Sequence, residues 1–159
     1  MRSRNVISLT KNSYKTRRTS ALPKNCATPT FLKNYENLTQ VLTDRKLAAL
    51  GDAYVNFAYS LALSNKTGKP CGKKVKGTAL AEALRKAGLR TFLPSRMDRH
   101  SLSDAAEALL AYAWLHNLFT LEGNVKTLVQ TETLENGLTQ LLLEAKEKIK
   151  RSGLFPVLY

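Results

Sequence analysis

Only two cysteines, Cys26 and Cys71, occur in the 159 residues. That is too few for a disulfide framework and points to a reducing compartment. Long apolar runs are missing as well. The most nearly continuous one, residues 53–63, is interrupted by Asn56 and Ser60 and is too short to cross a bilayer. Nothing near the start has the apolar segment of a secretory signal. The two histidines, His100 and His116, have no cysteine near them in sequence, which argues against a zinc site. Neither GxSxG nor HExxH occurs, so the esterase and metalloprotease arrangements built on those motifs are excluded. Acids are scarce too: 12 Asp and Glu stand against 25 Lys and Arg, a net charge of +13. With 43% hydrophobic and 23% charged residues, the composition is that of a folded domain, neither disordered nor membrane-embedded. Its field favours polyanions, either nucleic acid or an acidic membrane surface.

The positive charge is unevenly placed. Residues 1–34 carry Arg2, Arg4, Lys11, Lys15, Arg17, Arg18, Lys24 and Lys33 and not one acid. They are rich in Ser, Thr and Asn without hydrophobic periodicity, so they read as a loosely structured basic extension ahead of a globular part at residues 35–159. Such an extension can neutralise phosphates, act as a solubilising tail, or serve as a transit peptide. The expected location is cytoplasmic, or mitochondrial in the last case. A second basic cluster, Lys66, Lys69, Lys73, Lys74 and Lys76, is threaded through Gly68, Pro70, Gly72 and Gly77 and reads as a loop. Its Gly68, Gly72, Lys73, Lys74 pattern imitates a nucleotide-binding P-loop, but the glycines are one residue too close. Lys74 also stands where Ser or Thr must reach magnesium. A lysine-rich loop on an RNA backbone and a merely solvated loop are both compatible with it.

From Thr43 the pattern is helical. Leu47, Leu50, Tyr54, Phe57, Ala58 and Leu61 recur at spacings of three and four, with Thr43 or Asp44 as the expected cap. A short helix follows, capped by Thr78, with Leu80, Ala81 and Leu84 inward and Gly88 as its stop. Ser101 or Ser103 is expected to open a third, with an apolar face of Ala105, Ala108, Leu109, Tyr112 and Leu115. A fourth covers residues 134–151, burying Leu138, Leu141, Leu142, Ala145 and Ile149. Its lysines collect at the C-terminal end, where the helix dipole favours them. Trp114 at helical spacing is expected in the core. No alternating strand pattern and no internal repeat is present, so the fold class is all-α.

Three carboxylates sit oddly in these apolar helices. Asp52 lies mid-helix in Leu50-Gly51-Asp52-Ala53-Tyr54, where Asp is a poor helix former and an unpartnered buried carboxylate is costly. Asn56 extends a polar stripe one turn on. Gly51 costs roughly 1 kcal/mol of helix propensity, commonly in return for close approach of another backbone or a ligand. Asp104 and Glu107, at i and i+3, share a helix face and repel each other unless a cation lies between them. Hard oxygen ligands of this kind suit magnesium or manganese. The alternative is that both acids sit in the first turns of a helix and simply satisfy its dipole.

Leu50-Gly51-Asp52-Ala53, followed later by Asp104-Ala105-Ala106-Glu107-Ala108-Leu109, resembles the ribonuclease III catalytic domain. The longer stretches Asp44-Arg45-Lys46-Leu47-Ala48-Ala49-Leu50-Gly51-Asp52 and Met97-Asp98-Arg99-His100 are most similar to its compact archaeal branch. The resemblance covers roughly residues 35–152. It implies an all-helical, homodimeric endonuclease that cuts double-stranded or structured RNA and leaves 5′-phosphate ends. It also implies Asp52, Asp104 and Glu107 as the catalytic acids holding Mg2+ or Mn2+. RNA would be recognised by shape and phosphates through Lys69, Lys73, Lys74, Lys76, Arg99 and His100. The larger family carries a further glutamate one turn before Asp52, where this chain has Ala48; Asp44, two turns before Asp52, is the candidate accessory acid. The competing expectation is a non-catalytic RNA-binding protein on the same dimeric fold, for example on ribosomal RNA. A membrane-surface protein would need a basic amphipathic helix that the sequence lacks.

Overall fold

The computed structural model describes residues 28–155. The expected basic extension therefore lies outside the described residues over 1–27, as does Cys26. Among the described residues all regular structure is helical, as the all-α expectation requires. The order is α1 (Leu38–Leu42), α2 (Arg45–Thr67), α3 (Gly77–Lys86), a 3-10 turn (Leu89–Phe92), α4 (Arg99–Leu115), α5 (Leu121–Gln130) and α6 (Leu134–Ser152). None of these helices is long and apolar enough to cross a membrane.

α4 is the centre of the domain. It packs against α1, α2, α3 and α6, and Ala105, Ala106, Ala108, Leu109, Ala111 and Ala113 are wholly enclosed. The sequence predicts one apolar face here. The structure buries nearly the whole circumference, because alanine on every side lets the surrounding helices close in. Leu80 and Leu84 of α3 and Leu138, Leu142 and Ile149 of α6 complete the core from the flanks.

The ends of the helices depart from the sequence expectation in instructive ways. α2 is capped by Asp44, whose carboxylate accepts from the amides of Lys46 and Leu47. α3 begins at Gly77 behind Lys76, so Thr78 is inside it rather than its cap. α4 begins at Arg99 with Asp98 accepting from the Ser101 amide, a turn earlier than Ser101 or Ser103 would place it. Trp114 corrects the core expectation: its indole is 38% exposed and stacks on Tyr54 at 4.8 Å. His116 closes α4 and packs on the Tyr112 ring.

A carboxylate cleft flanked by cations

Two helices bring the three acids together, and a glycine lets them do so. α2 and α4 cross at Gly51, where a Cβ would lie 2.2 Å from the carbonyl oxygen of Glu107. The backbone approach that Gly51 predicts is therefore made by α4 itself. Asp52 follows Gly51 directly, and Glu107 rides on the opposing helix of the crossing. Both line a cleft of about 380 Å³ together with Asp104, Ala48, Ala49, Arg45, Lys74, His100 and Ser103.

Each carboxylate has a distinct setting. Asp52 is half-buried; its Oδ1 accepts from Asn56 Nδ2 at 2.9 Å, and its Oδ2 lies 3.8 Å from Lys74 Nζ. Asp104 is comparably open, with Oδ1 3.9 Å from Nδ1 of the exposed His100. Glu107 is buried, 8% exposed. Burial, reinforced by the nearby charges of Asp52 and Asp104, pushes its carboxyl up to about 7, against the opposing pull of Lys74 and a hydrogen bond from Ser103. The helix-dipole alternative for Asp104 and Glu107 falls here. α4 starts at Arg99 and has no acid in its first turn, beyond which the dipole fades.

The loop carrying Lys74 is laid along α2 by a polar ladder one turn apart. Ser64 Oγ accepts from the Cys71 amide at 2.9 Å, Ser60 Oγ from the Lys73 amide at 3.0 Å, and Asn56 Oδ1 from the Val75 amide at 2.7 Å. Asn56 thus grips Asp52 with one end of its amide and the loop with the other. The sequence places Asn56 on the polar stripe of Asp52; its second bond depends on the loop returning and has no local signal.

The predicted RNA-binding residues divide. Lys76, Arg99 and His100 line an adjoining cleft of about 680 Å³ that shares Gly77, His100 and Ser103 with the acid cleft. Lys74 is drawn against Asp52, while Lys69 and Lys73 are exposed and line neither cleft. On the other side, a smaller cleft sharing Arg45 and Asp104 adds Arg96. Arg45, Arg96 and Ser103 are not among the site residues expected from the sequence. Arg45 stands two turns before Asp52, and Ser103 one turn before Glu107, spacings that could have found them.

Asp44, the candidate accessory acid, does not line the acid cleft. Burial raises its carboxyl, but hydrogen bonds from Lys33, the Leu47 amide, Tyr35 and the Lys46 amide outweigh this and hold it near 2. Its oxygens are engaged in starting α2 and in anchoring Lys33 at 2.8 Å. Among the described residues, no three of His, Cys, Asp and Glu stand close enough together to hold a metal ion. The donor set is nonetheless of the kind a hard cation takes: three carboxylates on one cleft, one of them buried beside two like charges.

The domain is thus all-helical, with an acid cleft flanked by cationic side chains. The ribonuclease III family model matches residues 45–154, from the start of α2 past the end of α6, and the chain belongs to that family. No curated protein matches the chain.

Proposed function

We propose that the protein is a divalent-metal-dependent endoribonuclease acting on double-stranded or structured RNA and leaving 5′-phosphate ends. The observation that carries this reading is the burial of Glu107 beside Asp52 and Asp104 in a chain of net charge +13. Three acids would repel a polyanion unless a cation sat with them, and a pure binder has no use for them. Asp52, Asp104 and Glu107 would hold Mg2+ or Mn2+. When bound, the ion would lower the pKa of a water for attack on phosphorus and offset charge on the leaving 3′-oxygen.

The chain's own residues set the rest. Asn56 orients Asp52, and Gly51 allows Glu107 to face it across the helix crossing. Lys76, Arg99 and His100 on one side and Arg45 and Arg96 on the other offer cations to backbone phosphates flanking the cut. Asp52 and Asp104 are open enough to turn toward a common ion. We further propose a homodimer, in which a second copy covers the exposed Leu50 and Phe57 of α2. Sedimentation of wild type and Phe57→Glu tests this; a monomeric wild type refutes it. The basic residues 1–34 would add phosphate contacts. Their deletion would then weaken RNA binding and flatten its salt dependence, and no change in either would refute that role. The setting would be cytoplasmic, or mitochondrial if residues 1–34 act as a transit peptide.

The deciding experiment is cleavage of a long RNA duplex with Mg2+, Mn2+ or EDTA, comparing wild type with Glu107→Ala. Metal-dependent cutting lost in the variant supports the nuclease. The second reading, a non-catalytic RNA binder, is favoured by Ala48 and by the pairing of Asp52 with Lys74. Equal, tight duplex binding by both proteins without cutting would establish it instead.

A further inference from the structure

Among the described residues, Lys74 is the one cation ion-paired to an acid of the cleft from a loop, and its placement is built rather than incidental. Three consecutive rungs, from Ser64, Ser60 and Asn56, fix the backbone at Cys71, Lys73 and Val75. The same Asn56 side chain fixes Asp52. Both partners of the 3.8 Å pair are therefore referred to a single side chain. One turn before Asp52 on the same helix the lining is Ala48, with Ala49 beside it, and their side chains offer no oxygen to an ion. The cleft thus has three carboxylates and one resident ammonium. One divalent ion with Lys74 already balances the three negative charges, and Arg45 on the lining adds a further cation. A second divalent ion would find a methyl wall for ligands and Lys74 already beside Asp52.

We propose that each cleft takes a single divalent ion, and that the Lys74 ammonium supplies the second positive charge against Asp52 and the incoming phosphate. This rests on the metal-dependent reading above. Lys74 touches an acid and no reacting atom here, so it acts through charge and position. Two opposite effects follow. As a like charge it weakens binding of the ion, and as a neutralising charge it promotes cleavage. A residue that merely braced the loop would move both in the same direction.

The test is Mn2+ binding to the full chain, followed by electron paramagnetic resonance of the free ion, beside duplex cleavage rates. The proteins are wild type, Lys74→Arg, Lys74→Gln and the double variant Ala48→Glu/Lys74→Gln. Wild type is expected to bind one Mn2+ per chain, and Lys74→Arg to match it. Lys74→Gln should bind Mn2+ about tenfold more tightly yet cleave about tenfold more slowly, as expected for loss of a charge a few ångströms away. The double variant should bind two ions. Because the Lys74 side chain is 78% exposed, its replacement leaves the core intact. Two Mn2+ per wild-type chain, or a Lys74→Gln variant with weaker or unchanged Mn2+ binding, overturns the inference while metal-dependent cutting keeps the nuclease reading. Absence of both Mn2+ binding and cutting in wild type overturns the two together.

Discussion

Gly51 and Glu107 meet backbone to backbone, so closely that any side chain at Gly51 would strike the Glu107 carbonyl at 2.2 Å. Neither partner can yield cheaply, since both are in the middle of long helices that form the heart of the domain. Gly51→Ala should destabilise the protein by about 3 kcal/mol despite the better helix propensity of alanine. Urea denaturation measures this. Gly77→Ala is the control: its Cβ would meet only the Ser103 side chain, Oγ at 3.2 Å and Cβ at 3.6 Å, and a far smaller change is expected.

Glu107 makes stability depend on pH with a defined sign. Its carboxyl is raised from the ordinary 4.5 to about 7 by burial and by Asp52 and Asp104. The folded state therefore favours the protonated form more than the unfolded chain does. Its stability is complete below pH 4.5 and is lost as the pH rises through 7. In EDTA, Glu107→Gln should be more stable than wild type at pH 8, on the order of 2 kcal/mol, with the difference vanishing near pH 4. Thermal melts at the two pH values check it. An advantage that persisted at pH 4 would place the effect in packing instead.

Tyr54 and Asn124 join α2 to α5 through a buried hydrogen bond, Asn124 Nδ2 donating to the Tyr54 hydroxyl at 2.7 Å. Burial outweighs that bond and pushes the Tyr54 phenol up to about 12. Tyr54→Phe would strand an amide that is only 3% exposed, at a cost of about 1–3 kcal/mol. Pairing it with Asn124→Leu should recover part of the loss, because two matched apolar groups carry no desolvation penalty. A double-mutant cycle by denaturation measures the coupling.

That buried asparagine also explains what the sequence concealed. The long helices are legible because Leu, Ala and Tyr recur at helical spacing over several turns. α5 is not, since Gly123, Asn124 and Thr127 are weak helix formers and only Val125 and Leu128 mark its inner face. Its inward position at Asn124 is polar and finds its partner 70 residues away. α1, five residues long, carries too short a pattern to register. The acids of the cleft are legible for the opposite reason: Asp52 and Glu107 violate local expectation, and a violation signals a site. The cationic side is harder. Lys74 looks like any solvated lysine of a glycine-rich loop until Asn56, Ser60 and Ser64 are seen to pull that loop onto α2.

Asn56 is accordingly the residue on which the cleft's order depends. Its amide holds Asp52 at 2.9 Å and the Val75 amide at 2.7 Å, so one truncation releases an acid and a loop together. Asn56→Ala should cost only about 1 kcal/mol of stability, since the site is half-buried and water can replace the lost partners. Its effect on cleavage should be larger, about tenfold or more, because misplacing a charged group by an ångström is costly at a reaction centre. Asn56→Asp separates the two bonds. It keeps an acceptor for Val75 but sets a second carboxylate against Asp52, so the loop stays in place while like charges repel one turn apart. Hydrogen exchange at the Val75 amide should then remain slow in Asn56→Asp and become fast in Asn56→Ala, with cleavage depressed in both. Fast exchange in both variants would mean that the ladder stands or falls as a unit, with Asn56 serving the fold rather than the charge arrangement of the cleft.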